Sequence, residues 1–592
     1  MVGIEDTYPE YALTAQLDEL RATEYSYLDE QSHVYLDFTG SGLASKSQHQ
    51  SHNERVANTL YGNPHSVNPT SGVATEAIEK TRARILAHVN ASPDEYVVIF
   101  TANATAAARL VAESYPFTAK TKLVLTADNH NSINGIREFA KAKGTKTTYV
   151  PLTTPDLGVD EAALRAVLSS PKKRSQIRDR LPKIKSWLSS LLTPCLGQRR
   201  KRLQPASTDE PSHHLPEARS PSPASSTTTL KPTRNIDLEK TIITTYSPPL
   251  DHQVPPASSR KAGLFAYPAQ SNFSGVRHPL SYIPLAQKQG YHVLLDTAAY
   301  LPTSPLDLSP TSPYKPDFCI ISFYKLFGTP TGVGALVARR DSLTTLLALN
   351  RPWFSGGTIT AVTVSTPWHN PTHSPQSIHE AFEDGTLNFL SIPDISVGLD
   401  FLTQKITLPI LDIRIKCLTA WFLDRLTSLS HSNGAPMAVI YGPTNTLQAA
   451  QVVSSRGGTI TFNLVTPTGQ IIDERIIDMD SARHGISLRT GCFCNPGAGE
   501  AAFALAPQKI RKLVSTATTT GNTVSGVGGE KRLGMDDYIR LVGMQSGGAV
   551  RVSFGAASNT ADVDRFFDFV EGTYRDWDAA DRTKKLKPRG RW

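Results

Sequence analysis

The chain has 592 residues, of which 39% are hydrophobic and 19% charged, with a formal net charge of +8. This length allows two or three domains around a large core, and the composition excludes a fibrous or membrane protein. No segment approaches the roughly 18 uninterrupted apolar residues of a membrane span, and the N-terminus lacks the basic start and apolar run of a secretory signal. We therefore expect a cytoplasmic protein without integral membrane contact.

The positive charge has a local source. Residues 172–202 carry eleven Lys and Arg against one Asp, a net of +10, so the rest of the chain sums to about −2. The folded part is nearly neutral, and we expect no nucleic-acid partner. Five cysteines in so long a chain form no disulfide framework, and none of their spacings matches a four-ligand zinc site. We expect reduced thiols and no metal.

Short apolar runs alternate with helical patterns from residue 34 to about residue 170. The runs are VYLDF at 34–38, YVVIF at 96–100, TKLVLTAD at 121–128 and TTYVPL at 147–152. Strands separated by helices predict a largely parallel sheet with helices on its faces.

Residues 171–234 interrupt this pattern, because they are first basic and then rich in Pro, Ser and Thr. They contain too few apolar groups to offset the entropy of ordering, so we predict a disordered insertion. Apolar residues among the basic ones have helical spacing, as in a helix that binds a membrane surface or calmodulin. Pro182 interrupts that spacing and favours a solvated segment.

The strand pattern resumes after the insertion, which therefore lies within one domain. The runs are KAGLFAYPA at 261–269, YHVLLDTAAY at 291–300, PDFCIISF at 316–323 and VGALVARR at 333–340. A long helical run and the strand TITFNLV follow FEDGTLNFLSI at 382–392, which predicts a smaller second domain, and a Thr/Gly-rich patch at 515–529 predicts a surface loop. We predict an N-terminal segment at 1–30, a large domain at 31–395 and a small C-terminal domain at 396–592.

Lys325 follows an apolar strand and precedes a glycine-rich turn, in SFYKLFGTPTGVGAL at 322–336. A lysine at the carboxyl end of a strand lies in a partly desolvated crevice, where its pKa can fall and its amine can react with a carbonyl group. A lone lysine in a loop is more often a solvated surface residue, so this interpretation requires partners.

Three further features lie at predicted strand ends. Asp296 ends the run VLLD, where an aspartate can pair with a protonated ring nitrogen or cap the turn that follows. The segment FTANATAAARLVAES at 100–114 turns from strand to helix through small residues, and its N–H groups together with Thr105 suit a phosphate. His130 can stack on an aromatic cofactor ring or remain a solvated turn residue.

The order of phosphate turn, histidine, aspartate and lysine resembles fold type I pyridoxal-phosphate enzymes, in particular class V aminotransferases and cysteine desulfurases. RTGCFCNPGAG at 489–499, LFAYPAQSNFSGVRHPL, SFYKLFGTPTGVGAL and FEDGTLNFL are similar to the desulfurase half of the molybdenum cofactor sulfurases. The resemblance covers most of residues 30–575 apart from the insertion. It implies an α/β fold in which a mostly parallel seven-stranded sheet is joined to a smaller α+β C-terminal domain.

The resemblance also implies a role for each matching position. Lys325 matches the lysine that holds pyridoxal 5′-phosphate, and Asp296 matches the partner of its pyridinium nitrogen. Arg551, in VRVSFG, matches the arginine that binds the substrate carboxylate, a role that suits a bidentate guanidinium. Cys494 matches the persulfide carrier. The remaining implied cofactor ligands are His130, Thr105, Ser322 and Asn272.

Cys492 and Cys494 lie two residues apart, so in an extended loop only one of them readily faces the cofactor. The family pattern selects Cys494, and we interpret Cys492 as a small apolar filler. Arg489 lies nearby and can favour the thiolate, which is the form that attacks sulfur. We predict Cys319, within CIIS, in the core.

The function implied is that of a cysteine desulfurase, which takes sulfur from L-cysteine as a persulfide on Cys494 and releases L-alanine. The sulfur then passes to the molybdenum cofactor or to an acceptor protein. Two departures bear on the acceptor. About forty residues follow Arg551, so we expect no further cofactor-binding domain, and the motif ends NPGAGE where the family usually has another cysteine. A homodimer is also implied, in which the glycine turn FSGGT at 354–358 contributes to the neighbour's site.

Two alternatives remain open. A class V aminotransferase or C–S lyase that acts on a specialised metabolite would not need Cys494. A cofactor-less interaction protein would leave Lys325 and Asp296 free to change, yet both are present in the expected contexts.

Overall fold

Seven strands form one sheet in the computed structural model, which describes residues 3–64, 66–169, 262–344, 351, 353–371, 377–444, 455–505, 508–511 and 535–578. Gly334–Arg339 runs antiparallel to both of its neighbours, and the other six strands run in one direction. The predicted mostly parallel sheet is therefore confirmed. In spatial order the strands are Tyr96–Thr101, Gly334–Arg339, Phe318–Ser322, Tyr291–Asp296, Gly263–Pro268, Lys122–Thr126 and Lys146–Val150.

Both faces of this sheet are apolar and carry helices. Alternate residues of one strand show this, since Val98 and Phe100 belong to one core whereas Val97 and Ile99 belong to the other. The helices packed on the first face are Pro69–His88, Glu161–Leu168, Tyr282–Lys288 and Asp394–Asp400. Those on the second face are Ala104–Ser114 and Ile136–Ala142.

A second, four-stranded antiparallel sheet lies in the C-terminal part of the chain. Its strands, in spatial order, are Ala438–Tyr441, Thr459–Leu464, Ala549–Ser553 and Arg489–Gly491. Its apolar core also contains Tyr11 and Leu17 from the N-terminal segment. The helices that contribute to this core are Gln16–Glu24, Leu408–Ser428, Glu474–Arg483 and Thr560–Tyr574. The N-terminal segment thus packs with C-terminal elements that are more than 380 residues away.

The apolar run VYLDF forms only the two-residue strand Val34–Tyr35, which pairs in parallel with Ile486–Ser487. It lies outside the seven-stranded sheet and ties the beginning of the chain to the C-terminal part. A separate hairpin joins Ile359–Thr363 to Trp368–Pro371. The shorter helical elements are Ile4–Thr7, Pro9–Thr14, Tyr27–Glu30, Lys46–Asn58, Asn131–Asn134, Phe323–Phe327, Arg340–Ser342, Ile378–Ala381, Phe401–Ile406, Pro496–Ala502 and Met535–Val542.

The predicted insertion at 171–234, with its basic stretch 172–202, and the patch at 515–529 lie outside the described residues. Within the described ranges, no helix combines the length and the apolar character needed to cross a membrane. The same ranges contain no cluster of three or more His, Cys, Asp or Glu side chains that could hold a metal ion. The predicted division into three segments, at 1–30, 31–395 and 396–592, stays a prediction.

Candidate active site

Five strands of the large sheet end at one edge, and the residues that follow them line a cavity. Ligands of open α/β sheets bind at this edge. The six residues to which the sequence assigns cofactor binding all lie in its wall. The polar side chains of the wall are Asn103, Thr105, His130, Ser132, Gln270, Asn272, Asp296, Ser322, Tyr324, Lys325 and Asn495.

Lys325 lies in the short helix that directly follows the strand Phe318–Ser322. Its Nζ donates a hydrogen bond of 3.0 Å to Oδ1 of Asn272. Burial, joined by the positive charge of Arg551, lowers the pKa of Lys325 from 10.5 to about 8, against the opposing charge of Asp296. About a tenth of the amine is therefore neutral and nucleophilic at pH 7.

Asp296 and His130 lie in the wall of the same cavity. Asp296 ends its strand and accepts the N–H of Ala298 at 3.0 Å, so it also caps a turn, and the two interpretations of this residue are compatible. Nδ1 of His130 accepts the N–H of Ser132 at 3.1 Å. Burial lowers the pKa of His130 below 6.5, Asp296 opposes this effect and Lys325 adds to it. The ring is therefore neutral at pH 7 and available for stacking.

Hydroxyl groups gather at the start of the helix Ala104–Ser114. The hydroxyls of Thr105 and Ser132 lie 2.7 Å apart, and Ser322 lines the same cavity. The first turn of a helix presents N–H groups without intrahelical partners and the positive end of the helix dipole. These donors together suit the phosphate group of a ligand.

The two arginines singled out from the sequence share one carboxylate, that of Asp37. Arg551 donates to Oδ1 of Asp37 at 2.8 Å, and Arg489 donates to Oδ2 at 2.6 Å. Burial would raise the pKa of Asp37, but the hydrogen bonds and charges of the two guanidinium groups outweigh it and lower the pKa. Arg551 also donates to the backbone oxygen of Asn272 at 2.8 Å. Its buried Nε has no hydrogen-bond partner among the described residues, and Arg551 is not one of the residues that line the cavity.

The cysteine loop has a left-handed rather than an extended backbone. Phe493 and Cys494 have φ values of 54° and 58°, and the N–H of Asn495 donates to the backbone oxygen of Cys492 at 3.0 Å. The loop is hydrogen-bonded to the cavity wall, since Nδ2 of Asn272 donates to the oxygen of Phe493 at 2.9 Å. Asn272 therefore contacts both Lys325 and the cysteine loop.

The two cysteines of this loop differ in exposure. Cys494 is exposed and Cys492 is partly buried, and burial raises the pKa of the Cys492 thiol. Cys494 also interacts electrostatically with the guanidinium of Arg551. Cys319 is buried in the core, as predicted, and burial raises its pKa. The role of Arg489 in favouring the Cys494 thiolate stays a prediction.

Four residues at the site were not found from the sequence. Asp37 ends the apolar run VYLDF in the same way that Asp296 ends VLLD, so that pattern could have indicated it. The other three, Asp128, His278 and Asn495, form a buried cluster beside the cavity, and no local pattern indicates their association. Among the described residues, the glycine turn at 354–358 contributes nothing to the lining of the cavity.

A comparison with protein families matches residues 34–173 and 250–566 to the family described as aminotransferase class-V. Two curated relatives, each named molybdenum cofactor sulfurase, are 31% identical to this chain. The Arabidopsis thaliana protein aligns over 573 residues, which is 94% of this chain and 58% of that protein. The Homo sapiens protein aligns over 574 residues, which is 94% of this chain and 51% of that protein. The chain thus spans about half the length of the curated relatives it matches.

Solved structures show the same fold. An apo cysteine desulfurase from Thermococcus onnurineus has a TM-score of 0.59 at 17% identity and covers 94% of this chain and 97% of its own. A cysteine desulfurase from Escherichia coli, in an S-sulfonic acid form, has a TM-score of 0.58 at 15% identity and covers 94% and 98%. At such low identity the likeness establishes the fold, which is the predicted fold type I architecture.

Proposed function

The chain belongs to the aminotransferase class-V family, and from that premise we propose that it is a cysteine desulfurase. Membership of this family implies the use of pyridoxal 5′-phosphate. The observation that carries the proposal is the position of Asn272, whose oxygen accepts from Lys325 and whose nitrogen donates to the loop of Cys494. One side chain thereby contacts both the amine of Lys325 and the backbone of the loop that carries the exposed thiol of Cys494, and sulfur abstraction from an amino acid requires an amine and a thiol at one site.

The cavity fits pyridoxal 5′-phosphate by the chemistry of its donors. Lys325 has a pKa lowered to about 8, so its amine can attack the aldehyde of the cofactor. The carboxylate of Asp296 suits a protonated pyridine nitrogen, the neutral ring of His130 suits stacking, and the hydroxyls of Thr105 and Ser322 suit the phosphate. When bound, the cofactor supplies a carbonyl carbon for the substrate amine and a ring that withdraws electrons from the substrate Cα.

Three residues of the chain are proposed to have separate roles in the reaction. The guanidinium of Arg551 is assigned to the carboxylate of L-cysteine, as in the resembled family, because a guanidinium binds a carboxylate through paired hydrogen bonds. Nζ of Lys325 would be the base that removes the proton from Cα of the bound substrate and later returns a proton to it. The thiolate of Cys494 attacks the substrate sulfur, so that an S–S bond forms and the C–S bond breaks. The electron pair of that bond stays with the substrate carbon, which takes up a proton, and the products are L-alanine and a persulfide on Cys494.

We further propose the molybdenum cofactor as the sulfur acceptor, with an acceptor protein as the second candidate. The support is the name shared by the relatives, of which this chain matches about half. Cys494 is exposed, so its persulfide is open to an acceptor that approaches the loop from solvent. The cytoplasmic location expected from the sequence stays a prediction.

The proposed activity is tested by the products of L-cysteine. We expect purified protein supplied with pyridoxal 5′-phosphate to be yellow and to form L-alanine and sulfide in equal amounts when a reductant releases the persulfide. Pyruvate and ammonia in place of alanine would indicate a C–S lyase, and turnover that requires a 2-oxo acid would indicate an aminotransferase. Colourless protein that binds no cofactor would support the interaction-protein alternative.

We also propose a homodimer, supported by exposed apolar groups around the glycine turn. Trp353 is 60% exposed and lines a surface cavity. Leu387 lines both this cavity and a second surface cavity. Val67, which is fully exposed, lines the second cavity. Asp384 accepts hydrogen bonds from Ser355, at 2.8 Å, and from Arg351. The glycine turn is therefore restrained by hydrogen bonds to a residue of the same chain. Contiguous exposed apolar surface of this kind indicates a protein interface.

The dimer is tested by placing a charge on that surface. We expect Trp353→Glu to shift the sedimentation coefficient from that of a dimer to that of a monomer, because a buried unpaired carboxylate costs several kcal/mol. The matched control is Leu13→Glu, since Leu13 is 64% exposed and lines neither cavity. A wild-type chain that sediments as a monomer at micromolar concentration would contradict the proposal.

A further inference from the structure

A buried, hydrogen-bonded pair of a histidine and an aspartate lies beside the cavity, outside the residues assigned so far. Nε2 of His278 and Oδ2 of Asp128 are 2.8 Å apart, and each side chain is only 1% exposed. Asp128 precedes His130 by two residues, and His278 follows Asn272 by six. The pair therefore joins two loops that both carry predicted cofactor ligands.

Asp128 also holds the residue that follows Cys494. Nδ2 of Asn495 donates to Oδ1 of Asp128 at 3.2 Å and to its backbone oxygen at 3.0 Å. Ser271 donates to the same Oδ1 at 2.9 Å. Both neighbours of Nδ2 are acceptors, so a flipped amide would place oxygen against oxygen, and the orientation of the Asn495 side chain is fixed. Asn495 is fully buried and lines the cavity.

The cysteine loop needs such an anchor because of its backbone. Phe493 and Cys494 both have positive φ, a conformation that costs free energy in residues other than glycine and persists only where the surroundings impose it. The N–H of Asn131 donates to the oxygen of Cys494 at 2.8 Å. Gly497 approaches the segment so closely that a Cβ there would lie 2.3 Å from the oxygen of Ala127. The loop is thus docked along residues 127–131, which include the histidine of the cavity, His130.

We propose that Asp128 and His278 are positioning residues for sulfur transfer, and that Asn495 transmits their effect to Cys494. The hydrogen bond from His278 orients the carboxylate of Asp128, and that carboxylate orients the amide of Asn495. The position of Asn495 in turn restrains the backbone of its neighbour Cys494. Lys325, Asp296 and Thr105 make no hydrogen bond to this cluster in the described part of the chain, whereas Asn495 lines the cavity with them. The inference rests on the proposed desulfurase function for its kinetic consequence.

The kinetic test compares Asn495→Ala and Asn495→Asp with the wild type. The first removes the anchor, and the second places a carboxylate against that of Asp128. Because Asn495 lines the cavity, cofactor loading of each variant is followed by its absorbance, and kcat is compared at saturating cofactor and L-cysteine. We expect kcat for alanine formation to fall by about 10²-fold with little change in KM, because the thiol is misplaced while the substrate still binds. Asn134→Ala is the matched control, since Asn134 is buried and donates to the backbone of Asn129 at 2.9 Å.

A second readout is independent of activity. The amide of Asn131 donates to Cys494, so its hydrogen exchange in the cofactor-free protein reports the docking of the loop. We expect faster exchange in both Asn495 variants and in His278→Leu, and protection close to the wild type in His278→Gln, which retains an N–H donor. Wild-type kcat or unchanged Asn131 protection in the folded Asn495 variants would overturn the inference. If the wild type forms no alanine, the proposed function fails, and the exchange data alone still decide whether the cluster anchors the loop.

Discussion

Lys325→Ala is expected to lower kcat/KM for alanine formation by about 10³-fold or more and to remove the visible absorbance of the bound cofactor. The substitution removes two roles together, because the amine both attaches the cofactor and transfers the proton at the substrate Cα. General acid–base catalysis alone accelerates a reaction by about 10²- to 10⁴-fold. The matched control is Lys315→Ala, since Lys315 is partly buried and pairs with Glu95 at 2.9 Å away from the cavity. A Lys325 variant that retains colour and rate would contradict the assignment.

The same prediction extends to pH through the pKa of Lys325, which is lowered from 10.5 to about 8. The neutral amine is the reactive form, so its fraction grows as pH rises through 8 and levels off above about 9. In cofactor-free protein, reductive methylation of Lys325, followed by peptide mass spectrometry, is expected to rise with a midpoint near pH 8. If methylation rises only above about pH 9.5, as for an ordinary lysine, burial does not lower the pKa of this amine.

Cys494→Ser is expected to reduce alanine formation by at least about 10²-fold while the protein keeps its colour and its spectral response to L-cysteine. The exposed thiol is the attacking group, and a serine hydroxyl is a far weaker nucleophile toward sulfur at neutral pH. Cys492→Ser is the matched control, because Cys492 lies in the same loop but is partly buried, with its pKa raised by burial. Its turnover is expected to stay within a few-fold of the wild type.

The contrary outcome has a definite meaning. If Cys494→Ser and the wild type consume L-cysteine at equal rates, the sulfur leaves without a carrier thiol. The lyase alternative would then replace the desulfurase proposal, and the docking of the loop against residues 127–131 would be structural only. If Cys492→Ser loses activity instead, the assignment of the two thiols is reversed.

Much of the cavity could be predicted because strand ends are visible in the sequence. Apolar runs locate the strands, and in a mostly parallel sheet their carboxyl ends meet at one edge. Lys325, Asp296 and His130 each lie at or just after the end of such a run, and the structure brings all three into one cavity. This part of the prediction rests on local patterns alone.

The charge pairs could not be predicted in the same way. Asp37 binds Arg489 and Arg551, which lie 452 and 514 residues further along the chain, and hydrophobic periodicity carries no information about partners at such separations. The run VYLDF also indicated a strand, but gave no indication that it would pair with Ile486–Ser487. The pairing follows from the packing of the N-terminal helices on the C-terminal core.

The backbone conformation of the cysteine loop also could not be predicted from the sequence. Spacing of two residues places side chains on opposite sides only if the backbone is extended, whereas Phe493 and Cys494 adopt left-handed φ. The conformation is imposed by tertiary contacts, in particular the bonds from Asn272 and Asn131 to the loop oxygens. Neither phenylalanine nor cysteine favours this region by itself, so the sequence offers no signal for it.

The central claim is that Cys494 receives sulfur from L-cysteine, and mass spectrometry of the protein after one equivalent of L-cysteine tests it most directly. With reductant left out and free thiols alkylated afterwards, we predict a gain of one sulfur atom on the peptide that contains Cys494, together with one equivalent of L-alanine. In Lys325→Ala neither product is expected. Alanine without a persulfide on Cys494, or a persulfide on Cys492 instead, would contradict the account.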